Sequence, residues 1–582
     1  MELRLLDGQQ LYKAFIGGAK RLINDKHDLN RINVFPVADG DTGSNMAFLM
    51  QTIINEAKPS ESVSDTLESI ASASLSGSRG NSGIIFSEYL YGLYEHLRGK
   101  VTATIHDFSD AFRHASQKAY QAILNPVEGT ILTVLRKASE TEPTQTDFVT
   151  YFEDTLNVAK KALVETTDEL AILKASNVVD AGAKGFTDFL EGIHHYFVTG
   201  EFEMTDIIHI EEAMEDIHVE DSEERYCTEA LIMNSKKTSD ELKQLFAQDG
   251  SSLIVSGRID KTRLHIHTNH PDQFFYKLSE YGQIVEQKVD DMHRQLDAVR
   301  KAHPEIAILT DSIADVPADL MDKYQIHLLP IGLLVDDVPY LDKVTISSET
   351  FYKLLKKADH FSSSQPNQKQ IERTLDFLLD HYKEVLVITV SSQMSGTYNA
   401  FMQYAKDHPE VKVFDSLQNS GAEGLVVLEA AKLVEAGKNT SEIVEKLNDF
   451  TKRTKIFVSV NTLKYMVKQG RVSKVTGIAA KIMNLKPVIG IDENGKGMIA
   501  RKALSLNGNV RQILELVSKG KVSQYAIVHS EAEERANKLA QKIENITGLK
   551  PLYTMSISPV VSMNAGLGTI AVALTYENEV KI

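Results

Sequence analysis

The chain has 582 residues, of which 42% are hydrophobic and 25% charged, and its formal net charge is -17. That length is too great for one hydrophobic core and predicts about three or four domains; the acidic balance, with no basic stripe against it, excludes a nucleic-acid polyanion as the main partner. The single cysteine, Cys227, excludes an intramolecular disulfide and fits a reducing compartment.

The first residues, MELRLLDGQQLYKAFIGGAKRL, mix charges into their apolar positions and lack a signal-peptide core. No segment reaches the roughly 18 apolar residues of a membrane span, so a cytoplasmic chain without an integral membrane segment is expected. Over 1–200 apolar residues recur at helical spacing, as in Leu11, Phe15, Ile16, Ala19 and Leu22, which predicts an all-α domain. Residues 201–224 are crowded with Glu and Asp and read as an acidic connector. Over 225–300, short strands at 228–233, 253–255 and 263–267 with a helix at 239–246 predict a small α+β domain. Over 304–582, strands at 306–309, 326–329, 385–390, 411–414, 455–460, 525–528 and 569–573 alternate with helical patterns, which predicts an α/β domain with a largely parallel sheet.

Within the helical region, Asn33-Val-Phe-Pro-Val-Ala-Asp-Gly-Asp-Thr-Gly-Ser-Asn45 sets Asp39 and Asp41 either side of a glycine. Two carboxylates that close need a counter-charge, and a hard divalent cation such as Mg²⁺ supplies one; a solvated Asp-Gly turn is the alternative. Two further runs, Leu75-Ser-Gly-Ser-Arg-Gly-Asn-Ser-Gly83 and Asn177-Val-Val-Asp-Ala-Gly-Ala-Lys-Gly185, are not P-loops. Small residues at a helix start free backbone amides for phosphate, and Ser76, Ser78 and Ser82 add hydroxyls; close helix packing explains the same residues.

Cys227 lies in Arg225-Tyr-Cys-Thr-Glu229, and His265-Ile-His267 alternates on a predicted strand, so both imidazoles share a face. A thiolate and two imidazoles make a zinc set with an open fourth position; a buried thiol beside two strand histidines is the plainer reading. In the last region Thr310-Asp-Ser312, Ser362-Ser-Ser-Gln-Pro366 and Ser391-Ser-Gln-Met-Ser-Gly-Thr397 follow predicted strands. Hydroxyls converging at strand ends suit an anion or carboxylate, while helix caps and turns account for any one cluster.

Together with Val127-Glu-Gly-Thr130, the motifs of the first region resemble the L-subunit family of dihydroxyacetone kinases, in the version that opens bacterial fatty acid kinases. The resemblance implies an all-α helical barrel with ATP at its mouth. It implies Mg²⁺ on Asp39 and Asp41 with Asn33 as a neutral oxygen, where the dihydroxyacetone kinases carry a third aspartate one residue nearer. It implies nucleotide contacts from Asn45, Ser78, Gly80, Asn81 and Ser82 around the phosphates, and from Gly129, Thr130, Asp180 and Gly182 near the adenine. Arg79, from its place in the glycine-rich run, is read as a transition-state stabiliser.

Residues 225–300 resemble the middle domain of fatty acid kinases, which carries a Tyr-Cys-Thr-Glu and a His-x-His-Thr-Asn segment and is associated with homodimers; the resemblance supports Zn²⁺ on Cys227, His265 and His267. Residues 305–575, with Gln469-Gly-Arg-Val472, Lys486-Pro-Val-Ile-Gly490 and Pro559-Val-Val561, resemble the DegV family of fatty-acid-binding proteins. That resemblance implies a buried fatty acid whose carboxylate meets Ser363, Ser364, Ser395 and Gly396, with Arg471 and Arg501 near the head group. Asn564 stands where the family usually has a histidine.

The combined reading is a kinase that uses MgATP to phosphorylate a fatty acid carboxylate to an acyl phosphate, with fatty-acid carrier proteins and an acyl-phosphate-using acyltransferase as partners. Two alternatives stay open: a lipid-binding or regulatory module whose kinase domain serves a separate carrier, and a glycerone phosphotransferase like the dihydroxyacetone kinases.

Overall fold

The computed structural model describes residues 3–36, 40–144, 147–202, 223–299, 303–469 and 486–582. Asp39, Arg471 and nearly all of the acidic connector therefore lie outside the described residues. The chain divides into two compact units, Met1–His270 with Leu278–Val299, and Pro271–Lys277 with Arg300–Ile582.

Among its described residues the first unit begins with ten helices: α1 Gly8–Asn24, α2 Lys26–Arg31, α3 Thr42–Glu56, α4 Val63–Gly77, α5 Gly80–Leu97, α6 Ile105–Ala122, α7 Ile131–Ser139, α8 Phe148–Glu169, α9 Ala171–Ser176 and α10 Ala181–Thr199. Their ends are written in the sequence. Asp7 with Gln10 and Thr104 with Asp107 form capping boxes on α1 and α6, and Gly200 closes α10 in the left-handed region. The helices form a barrel around one core. At its centre the fully buried Phe86 ring meets Phe186 and Phe189 edge to face, at centroid distances of 5.5 and 5.1 Å.

The small α+β part of this unit is a four-stranded antiparallel sheet of β1 Tyr226–Met233, β2 Ser251–Arg258, β3 Lys261–Thr268 and β4 Gln283–Asp291, in the order β2-β3-β1-β4. Helix α11 Ser239–Phe246 connects β1 to β2 and α13 Met292–Val299 follows β4, while α12 Pro271–Leu278, which follows β3 in the chain, falls almost wholly in the second unit. It docks on the helices by backbone bonds as well as side chains: Leu124 N donates to Leu253 O at 3.1 Å, and Ile123 bridges Ile254.

The second unit is α/β. Strands β5 Ile306–Asp311, β6 His327–Leu329, β10 Glu384–Thr389 and β11 Val411–Asp415 form a parallel sheet in the order β11-β10-β5-β6. Strands β7 Gly332–Val335, β8 Val338–Leu341 and β9 Phe361–Ser364 form a small antiparallel sheet. Strands β12 Thr454–Ser459, β13 Val488–Ile491, β14 Gly497–Arg501, β15 Val522–His529, β16 Thr554–Ser556 and β17 Ile570–Tyr576 form a third sheet, ordered β14-β13-β12-β17-β15-β16. The largely parallel arrangement expected from β/α alternation describes the first sheet. In the third, among the described residues, only β15 and β16 are parallel, because β13 turns back on itself as β14 through a tight turn at Asp492–Lys496 and β17 enters antiparallel between β12 and β15.

Removing the Phe86 ring leaves a void that surrounding helices cannot refill. Phe86→Ala is expected to lower the stability of the first unit by about 3–5 kcal/mol; an unfolding midpoint equal to that of the parent chain would contradict this account of the core.

Candidate functional site

Strand alternation builds the first part of the site. Cys227 pairs with His267 and Glu229 with His265 across β1 and β3, and on the other side Cys227 pairs with Asp290, Glu229 with Lys288 and Leu231 with Glu286. Residues directly opposite in an antiparallel sheet point to one face. One face of the sheet therefore carries a thiol, two imidazoles, three carboxylates (Glu229, Glu286, Asp290) and two cations, Arg263 and Lys288.

That face meets the glycine-rich run. The Glu229 carboxylate is 1% exposed and accepts the Gly80 amide at 2.6 Å. Arg263, also buried, donates to the Leu75 and Ser76 carbonyls at the end of α4 and to Glu286 at 2.8 Å. Burial alone would push the Glu229 carboxyl up, but Lys288, His265 and Arg263 hold it well below the usual carboxylate range.

Helix starts build the second part. Gly80 opens α5 with φ +61°, and a Cβ there would meet Asn45 Nδ2 at 2.7 Å. Gly182, at the start of α10, faces Ser82, whose hydroxyl occupies the place of any side chain at that position. Asp180 caps α10 through Ala183 N at 2.7 Å and also takes the first amide of α7. The N-termini of α5, α7 and α10 thus gather at one end of the barrel, where their dipoles favour negative charge: Glu229 takes the Gly80 amide, and Asp180 those of Ile131, Gly182 and Ala183.

Between the sheet and these helices runs a crevice lined by Asn33, Asp41, Asn45, Arg79 to Gly83, Cys227, His265 and His267. The carboxylate motif, the glycine-rich run and the Cys/His set, far apart in sequence, open into one space. Asp41 precedes α3 without capping it, and its Oδ2 lies 3.8 Å from Lys288 Nζ. Asn33 Oδ1 accepts Thr42 N at 2.8 Å, so the oxygen expected to face a metal also holds the start of α3. Ser78 is buried with its hydroxyl bonded to Leu75 O at 3.1 Å, a packing role. Arg79 lies over the Phe48 ring, 3.7 Å from its centroid, and 3.4 Å from Glu286. Gly129 and Thr130 lead into α7, where Gly129 N donates to Thr133 Oγ1 at 2.7 Å; neither lines the crevice.

Cys227, His265 and His267 offer ligand atoms within 4.8 Å of one another. Cys227 Sγ lies 3.8 Å from His265 Nδ1, and His265 Nε2 is buried with no hydrogen-bond partner among the described residues. Burial pushes the His267 imidazole down to about 3 and the Cys227 thiol well up, so His267 is neutral at pH 7, as a ligand must be. These three donors would fit a borderline-soft cation such as Zn²⁺, which takes four ligands.

The second unit holds a cavity of about 500 Å³, within the range of small-molecule sites. Ser363, Ser364, Ser395, Gly396 and Asn564 line it together with Ile456, Val458, Ile489 and Ile491. Ser363 and Ser364 sit on β9, Ser395 Oγ accepts Thr397 N at 3.3 Å where the helix Thr397–Ala405 begins, and Asn564 on the helix Pro559–Ala565 donates Nδ2 to Val560 O at 2.7 Å. Arg501, on β14, donates to Ala500 O and does not line the cavity. The Thr310-Asp-Ser312 cluster is framework: Thr310 Oγ1 bonds Ile388 O, Asp311 takes the Val390 and Ile313 amides, and Ser312 bonds Asp342.

Sequence reasoning passed over Glu229, Arg263, Glu286, Lys288 and Asp290. Their signal was the period-two placement of charges in Arg263-Leu-His-Ile-His267 and Glu286-Gln-Lys-Val-Asp290.

Asp180 has a titration consequence. Burial pushes its carboxyl up from 3.8 to about 6 against the Ala183, Ile131 and Gly182 amides. Between those values the folded chain keeps a proton that the unfolded chain has released, so this group's contribution to stability falls as pH rises through the window and stays low above it. Asp180→Asn keeps the cap acceptor without a charge to bury. It is expected to be more stable than the parent by up to about 3 kcal/mol at pH 7 and to lose that advantage near pH 4; a pH-independent difference in Tm would contradict this.

Comparison with known proteins divides the chain in the same order. A family model described as the DAK2 domain matches residues 36–195, one for the FakA-like middle domain of fatty acid kinase matches 223–299, and one described as "Uncharacterised protein, DegV family" matches 305–577. A DegV domain-containing protein of Clostridium acetobutylicum is 31% identical over 275 residues, 46% of this chain and 98% of the relative. An uncharacterized protein of Staphylococcus epidermidis is 31% identical over 352 residues, 54% of this chain; the chain spans 63% of that relative's length. Two solved structures, titled for fatty acid binding by a DegV family protein of Thermus thermophilus and for DegV, a fatty acid binding protein from Bacillus subtilis, are each 24% identical and cover 47% of this chain and 99% and 100% of their own, with TM-scores of 0.43 and 0.44. Matched over nearly the whole length of the Clostridium relative, the chain belongs to the DegV family and carries a DAK2 domain and a FakA-like middle domain ahead of its DegV domain.

Proposed function

We propose that the chain is a fatty acid kinase, transferring the γ-phosphoryl group of MgATP to the carboxylate of a fatty acid held in the DegV domain. The observation that carries this reading is the crevice of the first unit. There Asp41, the Gly80 turn and the starts of α3 and α5 line one space with Cys227, His265 and His267, in a chain that also holds a cavity lined by hydroxyl, amide and aliphatic side chains.

A fatty acid carboxylate is ionised at pH 7, so the nucleophile needs no general base. A carboxylate oxygen forms the new O–P bond as the bond from the γ-phosphorus to the bridging oxygen breaks, giving an acyl phosphate and ADP. What is left to the protein is alignment and charge neutralisation. Mg²⁺, held by Asp39 and Asp41, would neutralise phosphate charge. Ser82 and the amides at the start of α5 orient the phosphates, and Gly182 leaves room for Ser82 to do so. Arg79, stacked on Phe48 and paired with Glu286, is positioned to meet developing charge on the transferred group. Ser363, Ser395 and Asn564 supply neutral donors for the carboxylate.

Organic extraction of the purified chain followed by mass spectrometry is expected to yield fatty acid, and MgATP consumption is expected to rise on adding it. Asp41→Ala should abolish that turnover while the extracted lipid stays the same. Bound lipid without turnover in the parent chain would instead favour a lipid-binding module whose kinase domain serves a separate carrier. Arg79→Lys, which keeps the charge but loses the planar fork, is expected to lower kcat by about tenfold or more; parent-like kcat would remove Arg79 from the mechanism.

A further inference from the structure

The Glu229 carboxylate touches two things that the proposed chemistry treats separately. Its Oε1 accepts the Gly80 amide at 2.6 Å, one of the N–H groups at the start of α5 that a phosphate would use. The same oxygen lies 3.6 Å from His265 Nδ1, which also meets Cys227 Sγ at 3.8 Å, so carboxylate and thiol stand on the same side of that imidazole. A carboxylate behind the Nδ1 of a histidine is the arrangement that orients imidazole ligands, leaving Nε2 for a cation, and His265 Nε2 is buried with no hydrogen-bond partner among the described residues. Around Glu229 stand Arg263 at 3.6 Å and Lys288 at 3.7 Å; Lys288 in turn contacts Asp290 at 2.7 Å and Asp41 at 3.8 Å.

We propose that Glu229 is a positioning residue that joins the Cys227, His265 and His267 cluster to the anion-binding turn at Gly80, so that a divalent cation on the cluster and a nucleotide phosphate at the turn bind cooperatively. The sign follows from one oxygen serving two groups. Without a cation, Glu229 holds the Gly80 amide and sets a negative charge where phosphate would sit. A cation on the cluster makes His265 a stronger donor to Glu229, draws the carboxylate toward the sheet, and frees the amide. Linkage is reciprocal, so nucleotide binding must raise cation affinity by the same factor. The inference rests on the reading of the crevice as a nucleotide site and does not depend on the acceptor being a fatty acid.

The test uses the full chain, Co²⁺ as the probe cation and MgAMP-PNP as a nucleotide that does not turn over. The thiolate-to-cobalt charge-transfer band reports Cys227 and so separates this cluster from the carboxylate motif. In the parent chain MgAMP-PNP is expected to tighten Co²⁺ binding by about tenfold. Glu229→Gln is expected to weaken Co²⁺ binding by about 10–100-fold and to make nucleotide affinity indifferent to Co²⁺. Absence of the charge-transfer band, or equal Co²⁺ affinity with and without nucleotide, overturns the proposal in the parent chain alone, whether or not the variant folds. A folded Glu229→Gln chain with parent-like linkage overturns it as well. Fatty-acid-stimulated turnover with no linkage would leave the kinase reading standing and remove this one.

Discussion

A carboxylate buried to 1% exposure must be neutralised where it sits, and the first unit is organised around doing so for Glu229. The neutralising groups come from the sheet as Arg263, His265 and Lys288, and from the helices as the Gly80 amide. Because these partners come from both the sheet and the helices, the network ties the sheet to the helices. The glycine-rich run is held in place by Arg263 on the carbonyls that end α4 and by Glu229 on the amide that begins α5. The geometry of the crevice is thus a consequence of burying one anion.

The two units take up charge in different ways. In the first, ionised side chains of both signs stand within contact of one another, next to helix N-termini suited to a polyanion. In the second, the cavity has no ionisable side chain among its described lining residues and relies on hydroxyls and amides for its polar part. That contrast suits a charged, solvated nucleotide in one place and a mostly apolar molecule with a small polar head in the other.

Helices were legible because their stripes and caps are local: Asp7 with Gln10 and Thr104 with Asp107 are four-residue signals. Strands 306–309, 385–390 and 525–528 were legible as β-branched runs, but their pairing was not, since hydrogen-bond partners in a sheet are set by long-range packing. This is why a largely parallel sheet was expected where β12, β13, β14 and β17 run antiparallel. Cys227, His265 and His267 were legible as a ligand set from residue type and alternation. Glu229 was not: in Tyr226-Cys-Thr-Glu-Ala-Leu-Ile-Met233 it is a lone charge in an apolar strand, and its partner Lys288 becomes a neighbour only through the β1–β4 register. Arg501 was expected near the cavity because it matches an arginine of the DegV family, yet its guanidinium turns to the Ala500 carbonyl.

Transfer of the phosphoryl group to a carboxylate, as proposed, is tested most directly by trapping the product. The full chain incubated with MgATP, a fatty acid and hydroxylamine should yield the fatty acyl hydroxamate in step with ADP, because hydroxylamine captures an acyl phosphate at its carbonyl carbon. ADP formed with no hydroxamate, while the fatty acid stays bound and unchanged, would contradict the account.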